Sequence, residues 1–291
     1  MMQIAKALRL SALCAALVPG AIYLALSPRN CLPIYRNLLF HPSAFDNDLA
    51  DEQFLQIFGE IPEQVYFSSG LNLLHGLYFS DSFSCEPADV VTVLINHGNS
   101  GNILDRYTLV KWLRKNGLSV FLYDYAGFGL SEGIPDTSSI VSDGVSAFDL
   151  LVTRGVAPSR IVLYGESLGV AVSTAVALVR KPAAMLLQSG FSSLRQIAVD
   201  TFPMLSIYPQ ELFPTPSLDS AAMLSGRHPP ILIAHGMKDP TVHYFHAQRL
   251  FDSASREKKL LLLPNAVHND LVTNFSDEMT QGLFWLLSHL K

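Results

Sequence analysis

The stretch Arg160-Ile-Val-Leu-Tyr164-Gly165-Glu166-Ser167-Leu168-Gly169, running on through Val170-Ala-Val-Ser-Thr-Ala-Val-Ala-Leu-Val179, decides how this chain is read. Its opening is a short apolar run of the kind a strand buried on both faces requires. From Leu168 to Val179 the residues are small and apolar, as in a helix packed closely on a sheet. Between the two, a glycine stands two places to either side of Ser167, so strand and helix can approach and present the hydroxyl on a strained turn. A helix beginning just after Ser167 aims its free N–H groups at negative charge developing beside that hydroxyl. Ser167 is the candidate nucleophile.

Around this unit the same alternation repeats. Gln64–Ser68 and Leu74–Phe79, separated by Gly70 and Asn72, read as a hairpin. Val90–Asn96 is a second fully buried strand, followed by a helix from about Leu104 to Asn116 that Gly117 closes. Strand Ser119–Tyr123 and helix Ser139–Thr153 precede the central unit. Strands Ala183–Gln188, Ile231–Ala234 and Lys259–Leu263 follow it, with helices His243–Ala254 and Phe275–Leu290. Strand–helix–strand order with connections too long for hairpins predicts an α/β fold, a mostly parallel central sheet flanked by helices on both faces. In such a sheet reactive groups gather at the carboxyl ends of the strands.

A serine hydroxyl needs a base, and the base an orienting carboxylate. Asp239 follows strand Ile231–Ala234 through His235-Gly236-Met237-Lys238, and His268 follows strand Lys259–Leu263 through Pro264-Asn265-Ala266-Val267. Both fall just past a strand's carboxyl end, in the chain order serine, acid, histidine that this architecture uses. Asp239 and His268 are therefore expected to orient and to act as the base. The loop His97-Gly98-Asn99-Ser100-Gly101-Asn102 ends strand Val90–Asn96 and offers the Asn99 N–H as partner to that of Leu168 in an oxyanion hole. His97 is read as holding that loop, and Asp124 as holding its own turn through carboxylate-to-backbone hydrogen bonds. Glu166 is expected to form hydrogen bonds and not to transfer protons. His243 and His246 lie one helical turn apart, but no carboxylate cluster accompanies them, so no metal site is expected.

These motifs carry a resemblance. His-Gly-Asn-x-Gly-Asn at 97–102, Asp-Tyr-x-Gly-Phe-Gly-x-Ser at 124–131, Gly-Glu-Ser-Leu-Gly at 165–169, His-Gly-x-x-Asp at 235–239 and His-Asn at 268–269 resemble the α/β-hydrolase superfamily, in particular its membrane-associated, cap-poor branch. The likeness runs from about Asn37 to the C-terminus. It implies Ser167 as nucleophile, Asp239 as orienting acid, His268 as base, and Asn99 and Leu168 as backbone donors.

The 291 residues suffice for one large domain, and 49% hydrophobic against 15% charged residues excludes disorder. A formal charge of −5 with no basic cluster gives no reason to expect a nucleic-acid partner. Cys14, Cys31 and Cys85 are too few for a disulfide framework; outside the cytoplasm Cys31 and Cys85 could pair. Lys6 and Arg9 precede an apolar run from Leu10 to Leu26. We read residues 1–30 as a single-pass membrane anchor, with a cleaved secretory signal or a buried helix as alternatives, and residues 31–291 as the hydrolase domain. An insertion from about 193 to 218 is too short for a separate lid. It either rims the pocket or packs on the core.

The expected chemistry is hydrolysis of carboxylic esters or thioesters of acyl or lipid type, through an acyl-enzyme on Ser167 and without metal or cofactor. Activity should decline as pH drops below about 6–7, where an imidazole base protonates. A serine peptidase of the same fold and a non-catalytic membrane-tethered binding module are the alternatives. Acyl chain, leaving group, membrane orientation and oligomeric state are left open by the sequence.

Overall fold

A computed structural model describes residues 20–45, 49–80, 90–255 and 257–290. Ahead of the sheet come a short helix over 20–25, then α1 (Leu32–Leu39) and α2 (Asp51–Phe58). The sheet follows as β1 (Glu63–Ser69), β2 (Asn72–Phe79), β3 (Thr92–Asn96), α3 (Tyr107–Lys115), β4 (Ser119–Tyr123), α4 (Ser139–Thr153) and β5 (Ile161–Glu166). It continues with α5 (Leu168–Val179), β6 (Ala184–Gln188), α6 (Leu194–Thr201), α7 (Ser220–Leu224), β7 (Ile231–Gly236), α8 (Phe245–Ser253) and β8 (Lys258–Leu263). It closes with α9 (Leu271–Asn274) and α10 (Ser276–Leu287).

The strands form one sheet in the order β8-β7-β6-β5-β3-β4-β2-β1. Its β3–β8 portion is parallel, while β2 runs antiparallel to β1 and to β4. The two-residue alternation of strand side chains divides the core. Phe121, Tyr123 and Leu163 face a cluster with α4 and α5, whereas Val120, Leu122 and Val162 face α3 and α10. Every residue of β3, β4, β5, β6 and β7 is buried, which explains why these runs lack the alternation of a half-exposed strand.

Three sequence expectations shift. The helix expected from Leu104 starts instead as a 3-10 turn, Ile103–Arg106. There the Asn102 side chain accepts the Leu104 N–H at 2.9 Å while the Asp105 carboxylate returns to the Asn102 N–H at 3.0 Å. The C-terminal helix, expected over Phe275–Leu290, runs Ser276–Leu287 with Asp277 and Glu278 in its first turn, and is set off from the short α9 by Phe275, whose φ of −129° leaves the helical region. Helices α1, α2, α6, α7 and α9 were not expected.

The N-terminal residues pack on the 193–218 insertion. Tyr23 stacks on Tyr208 with ring centroids 4.8 Å apart and donates to the Ile207 carbonyl at 2.8 Å. The Arg29 N–H bonds the Leu212 carbonyl at 2.8 Å. Leu205, Tyr208 and Phe213 form a separate apolar cluster with Tyr23 and Tyr35. Both stretches thus build one cap. Of the apolar run Leu10–Leu26, residues 10–19 lie outside the described residues, as do Cys14 and Cys85 and hence the proposed Cys31–Cys85 pairing. Among the described residues no helix is long and apolar enough to cross a membrane.

Candidate active site

Ser167 sits between β5 and α5 with φ 54° and ψ −112°, a left-handed conformation that costs a non-glycine residue about 1–3 kcal/mol. The glycines make the turn possible. A Cβ on Gly169 would overlap the Asn96 carbonyl, and one on Gly165 would lie 2.6 Å from the Gly169 carbonyl oxygen. Below the turn, Asn96 donates to Ser173 at 2.8 Å and accepts from the Tyr123 hydroxyl at 2.7 Å, locking β3, β4 and α5 together. The Ser167 N–H bonds the Gln188 carbonyl at 2.9 Å, so the neighbouring strand β6 fixes the serine's backbone. As the first residue of α5, Leu168 has an N–H with no partner a turn back in the helix.

Asp239 and His268 meet directly. His268 Nδ1 lies 2.6 Å from Asp239 Oδ2, while the other carboxylate oxygen accepts the Thr241 and Val242 N–H groups at 2.8 and 2.9 Å. His235 packs on the acid. Its Nε2 is 3.2 Å from Asp239 Oδ2 and donates to the Val242 carbonyl at 2.8 Å. Burial by itself would raise the Asp239 carboxyl. Hydrogen bonds from His235 and His268, the His268 charge and the Val242 N–H outweigh it and hold the group well below the usual carboxylate range.

The loops carrying these two residues touch over Gly236, where any Cβ would collide with the Ala266 carbonyl. Ser189, itself left-handed at φ 51°, donates its hydroxyl to the His268 carbonyl at 3.0 Å. Because Ser189 follows Gln188, the backbone partner of Ser167, both ends of the constellation hang from the end of β6. Among the described residues the Ser167 hydroxyl makes no hydrogen bond, so the structure joins acid to histidine directly and serine to histidine only through this backbone link.

The expected oxyanion loop lies against the elbow. A Cβ on Gly98 would stand 3.6 Å from the Ser167 Cβ. Asn99 is fixed from both sides, its carbonyl accepting the His41 N–H at 2.8 Å and its amide donating to the Leu39 carbonyl at 2.7 Å. Arg106, which the sequence reading missed, clamps the loop. Its Nε is 3.1 Å from Glu166 Oε2 and its Nη2 donates to the Ser100 carbonyl at 2.9 Å. Burial, reinforced by Arg106, pushes His97 down to about 3, so it is neutral at pH 7, with Nδ1 2.8 Å from the Gly98 carbonyl.

Asp124 corrects its sequence reading. It is fully buried, and its carboxylate bonds the Ile103 N–H at 3.1 Å, across in the oxyanion segment. The turn after β4 is held instead by Asp143 of α4, which accepts the Ala126 N–H at 2.9 Å.

A cavity of about 260 Å³ opens over Ser167. Asn99, Leu168 and Val242 line its base; Leu194, Ile197, Ala198 and Leu205 form one wall, and Leu32, Tyr35 and Leu39 of α1 another. The insertion therefore does both things left open by the sequence, rimming the cavity and packing on the core through Leu194 and Leu218. The wall from α1 is what the reading of residues 1–30 as an anchor left out. Its signal was present in the 32, 35, 39 spacing of one helical face. His246 is buried and faces Ser192 and Asp200, and among the described residues no group of His, Cys, Asp and Glu side chains could hold a metal ion.

Residues 88–215 match the family described as "Serine aminopeptidase, S33". The uncharacterized protein Rv2307c of Mycobacterium tuberculosis is 35% identical over 179 residues, 61% of this chain and 63% of the relative, so the chain spans less than two thirds of that protein. The uncharacterized protein YfhR of Escherichia coli O157:H7 is 33% identical over 203 residues, 67% of this chain and 68% of the relative. Among solved structures, the esterase Pf2001 of Pyrococcus furiosus superposes with a TM-score of 0.66 at 15% identity, covering 87% of this chain and 99% of that one.

Proposed function

The chain belongs to the family of Escherichia coli YfhR, within the α/β-hydrolase superfamily, and we propose that it is a serine hydrolase of carboxylic esters or thioesters with acyl or lipid character. The reading rests on one observation. A serine held on a left-handed strand-to-helix turn opens into an apolar cavity, and a 2.6 Å Asp239–His268 pair hangs from the same strand end.

In this mechanism His268 Nε2 takes the Ser167 proton as Oγ attacks the carbonyl carbon. Asp239, kept ionised by its four donors, stabilises the imidazolium and fixes Nδ1 as the protonated nitrogen. The N–H groups of Leu168 and Asn99 bind the oxyanion. The same histidine returns the proton to the leaving alcohol or thiol, and water activated by it releases the acid.

The matched family description favours a second reading, a peptidase acting at a free amino terminus. Such a site needs a carboxylate for the substrate's ammonium group. Asp136, the one carboxylate in the cavity wall, already accepts the Ser138 and Ser139 N–H groups at 2.7 Å, which supports the ester reading.

Membrane attachment through the N-terminal segment belongs to the proposal. The apolar run Leu10–Leu26 supports it, as do the exposed side chains of Ile22, Leu24, Leu26 and Ile34 in the cap.

A fluorophosphonate probe should label the protein, and Ser167→Ala should abolish labelling. Medium or long acyl p-nitrophenyl esters should be cleaved faster than acetate, and faster than aminoacyl anilides. Undiminished labelling of Ser167→Ala, or a strict acetate or anilide preference, counts against the proposal.

A further inference from the structure

Among the described residues, two charged side chains, Arg36 and Asp136, stand in the otherwise uncharged wall of the cavity over Ser167. They are not equivalent. The Asp136 carboxylate is matched by the two N–H groups at the start of α4. Arg36, on α1, ion-pairs with no carboxylate among the described residues, and its Nε is buried without an acceptor.

A buried donor without a partner is rare in folded proteins, and one lining a cavity beside a candidate nucleophile is where a ligand would complete it. A guanidinium is a permanent cation whose planar fork matches the paired oxygens of a carboxylate or a phosphate. Most of the remaining wall, with side chains such as Leu32, Ile197, Ala198 and Leu205, suits a hydrocarbon chain, and the hydroxyls of Tyr35, Thr137 and Thr201 already donate to backbone carbonyls. One cavity therefore combines room for an acyl chain with a single unmatched positive charge.

We infer that Arg36 binds an anionic oxygen group on the substrate. The inference rests on the hydrolase reading above and narrows it to amphiphiles whose acyl ester is joined to a negatively charged head. Hydrolysis consumes one water, breaks the acyl C–O bond, and releases a fatty acid and an anionic alcohol. The anion is either a phosphate monoester or a carboxylate.

The test compares three oleoyl esters in non-ionic micelles of fixed composition: oleoyl lysophosphatidate, O-oleoyl lactate and neutral monooleoylglycerol. The wild type should favour at least one anionic ester over the neutral one by about 10-fold or more in kcat/KM, the discrimination expected of a site that pairs a half-buried cation. In Arg36→Gln that ratio should collapse toward one, while Arg36→Lys, keeping charge without the fork, should retain part of it. Preference for the phosphate or for the carboxylate ester identifies the anion.

Equal rates on all three esters, a neutral preference, or an unchanged ratio in a natively folded Arg36→Gln overturns the assignment and leaves the hydrolase reading standing. Absence of Ser167-dependent hydrolysis of all three esters overturns both.

Discussion

Asp239 receives hydrogen bonds from two histidines and two backbone N–H groups, and this sets its task. A carboxylate so held stays ionised, so in the proposed mechanism its charge is present to meet the imidazolium of His268. Asp239→Asn keeps the shape and removes the charge; turnover should fall by about 10,000-fold with circular dichroism unchanged, as the histidine tautomer is lost. Loss under tenfold would mean the pair is structural. Arg106 acts through others, tying the 97–102 loop, the proposed source of an oxyanion donor, to Glu166 beside Ser167. Arg106→Gln should lower kcat by about 10-fold or more with KM nearly constant, because a misplaced donor harms the transition state and not binding. A rise in KM alone would contradict that role. Ser167, Asp239 and His268 could be singled out as candidates because each lies within a few residues of the carboxyl end of a strand, a local signal. Arg106 and the duty of His235 were not, because their partners are brought close only by the folded sheet.

At the scale of elements, α6 walls the cavity and so, on the proposed function, bounds the acyl chain it accepts, while α8 holds α6 in place. His246 of α8 accepts the Ser192 N–H at 3.1 Å on Nδ1 and reaches Asp200 at 3.1 Å through Nε2, bracketing α6 at both ends. Filling the wall from that helix should shorten the substrate. Ala198→Phe is expected to reduce kcat/KM for decanoyl esters by about 10-fold or more while acetate changes about 2-fold at most, since each displaced methylene is worth about 1 kcal/mol or more in an apolar pocket. A uniform loss across chain lengths would show that Ala198 does not bound the acyl site. Strands and long helices could be read from the period of their apolar residues. Helix α1 could not: its spacing is helical, but it follows an apolar run that reads as an anchor. Only in the folded chain does its Tyr35 join Leu205, Tyr208 and Phe213 and make it part of a cap.

For the whole molecule, the polar groups sealed beneath the site predict its response to acid. Burial lowers His75 to about 4 and His97 to about 3, both below the value of an unfolded histidine. The unfolded chain therefore binds more protons as pH falls, so stability is full above about 6.5 and is lost on acidification toward the folded values, by up to about 1.4 kcal/mol per pH unit per histidine. Asp124, raised by burial, works in the opposite sense and offsets part of the loss. In urea titrations between pH 7.5 and 5, His75→Gln should show a shallower decline than the wild type; identical slopes would refute this accounting.

The central claim is an acyl group passing through Ser167, and the most direct measurement is the mass of the protein acid-quenched within milliseconds of mixing with p-nitrophenyl decanoate. We predict an increase of one decanoyl group, mapped to the peptide carrying Ser167, decaying as product accumulates and absent from Ser167→Ala. Full hydrolysis by Ser167→Ala, or turnover in the wild type with the adduct on another residue, would contradict it.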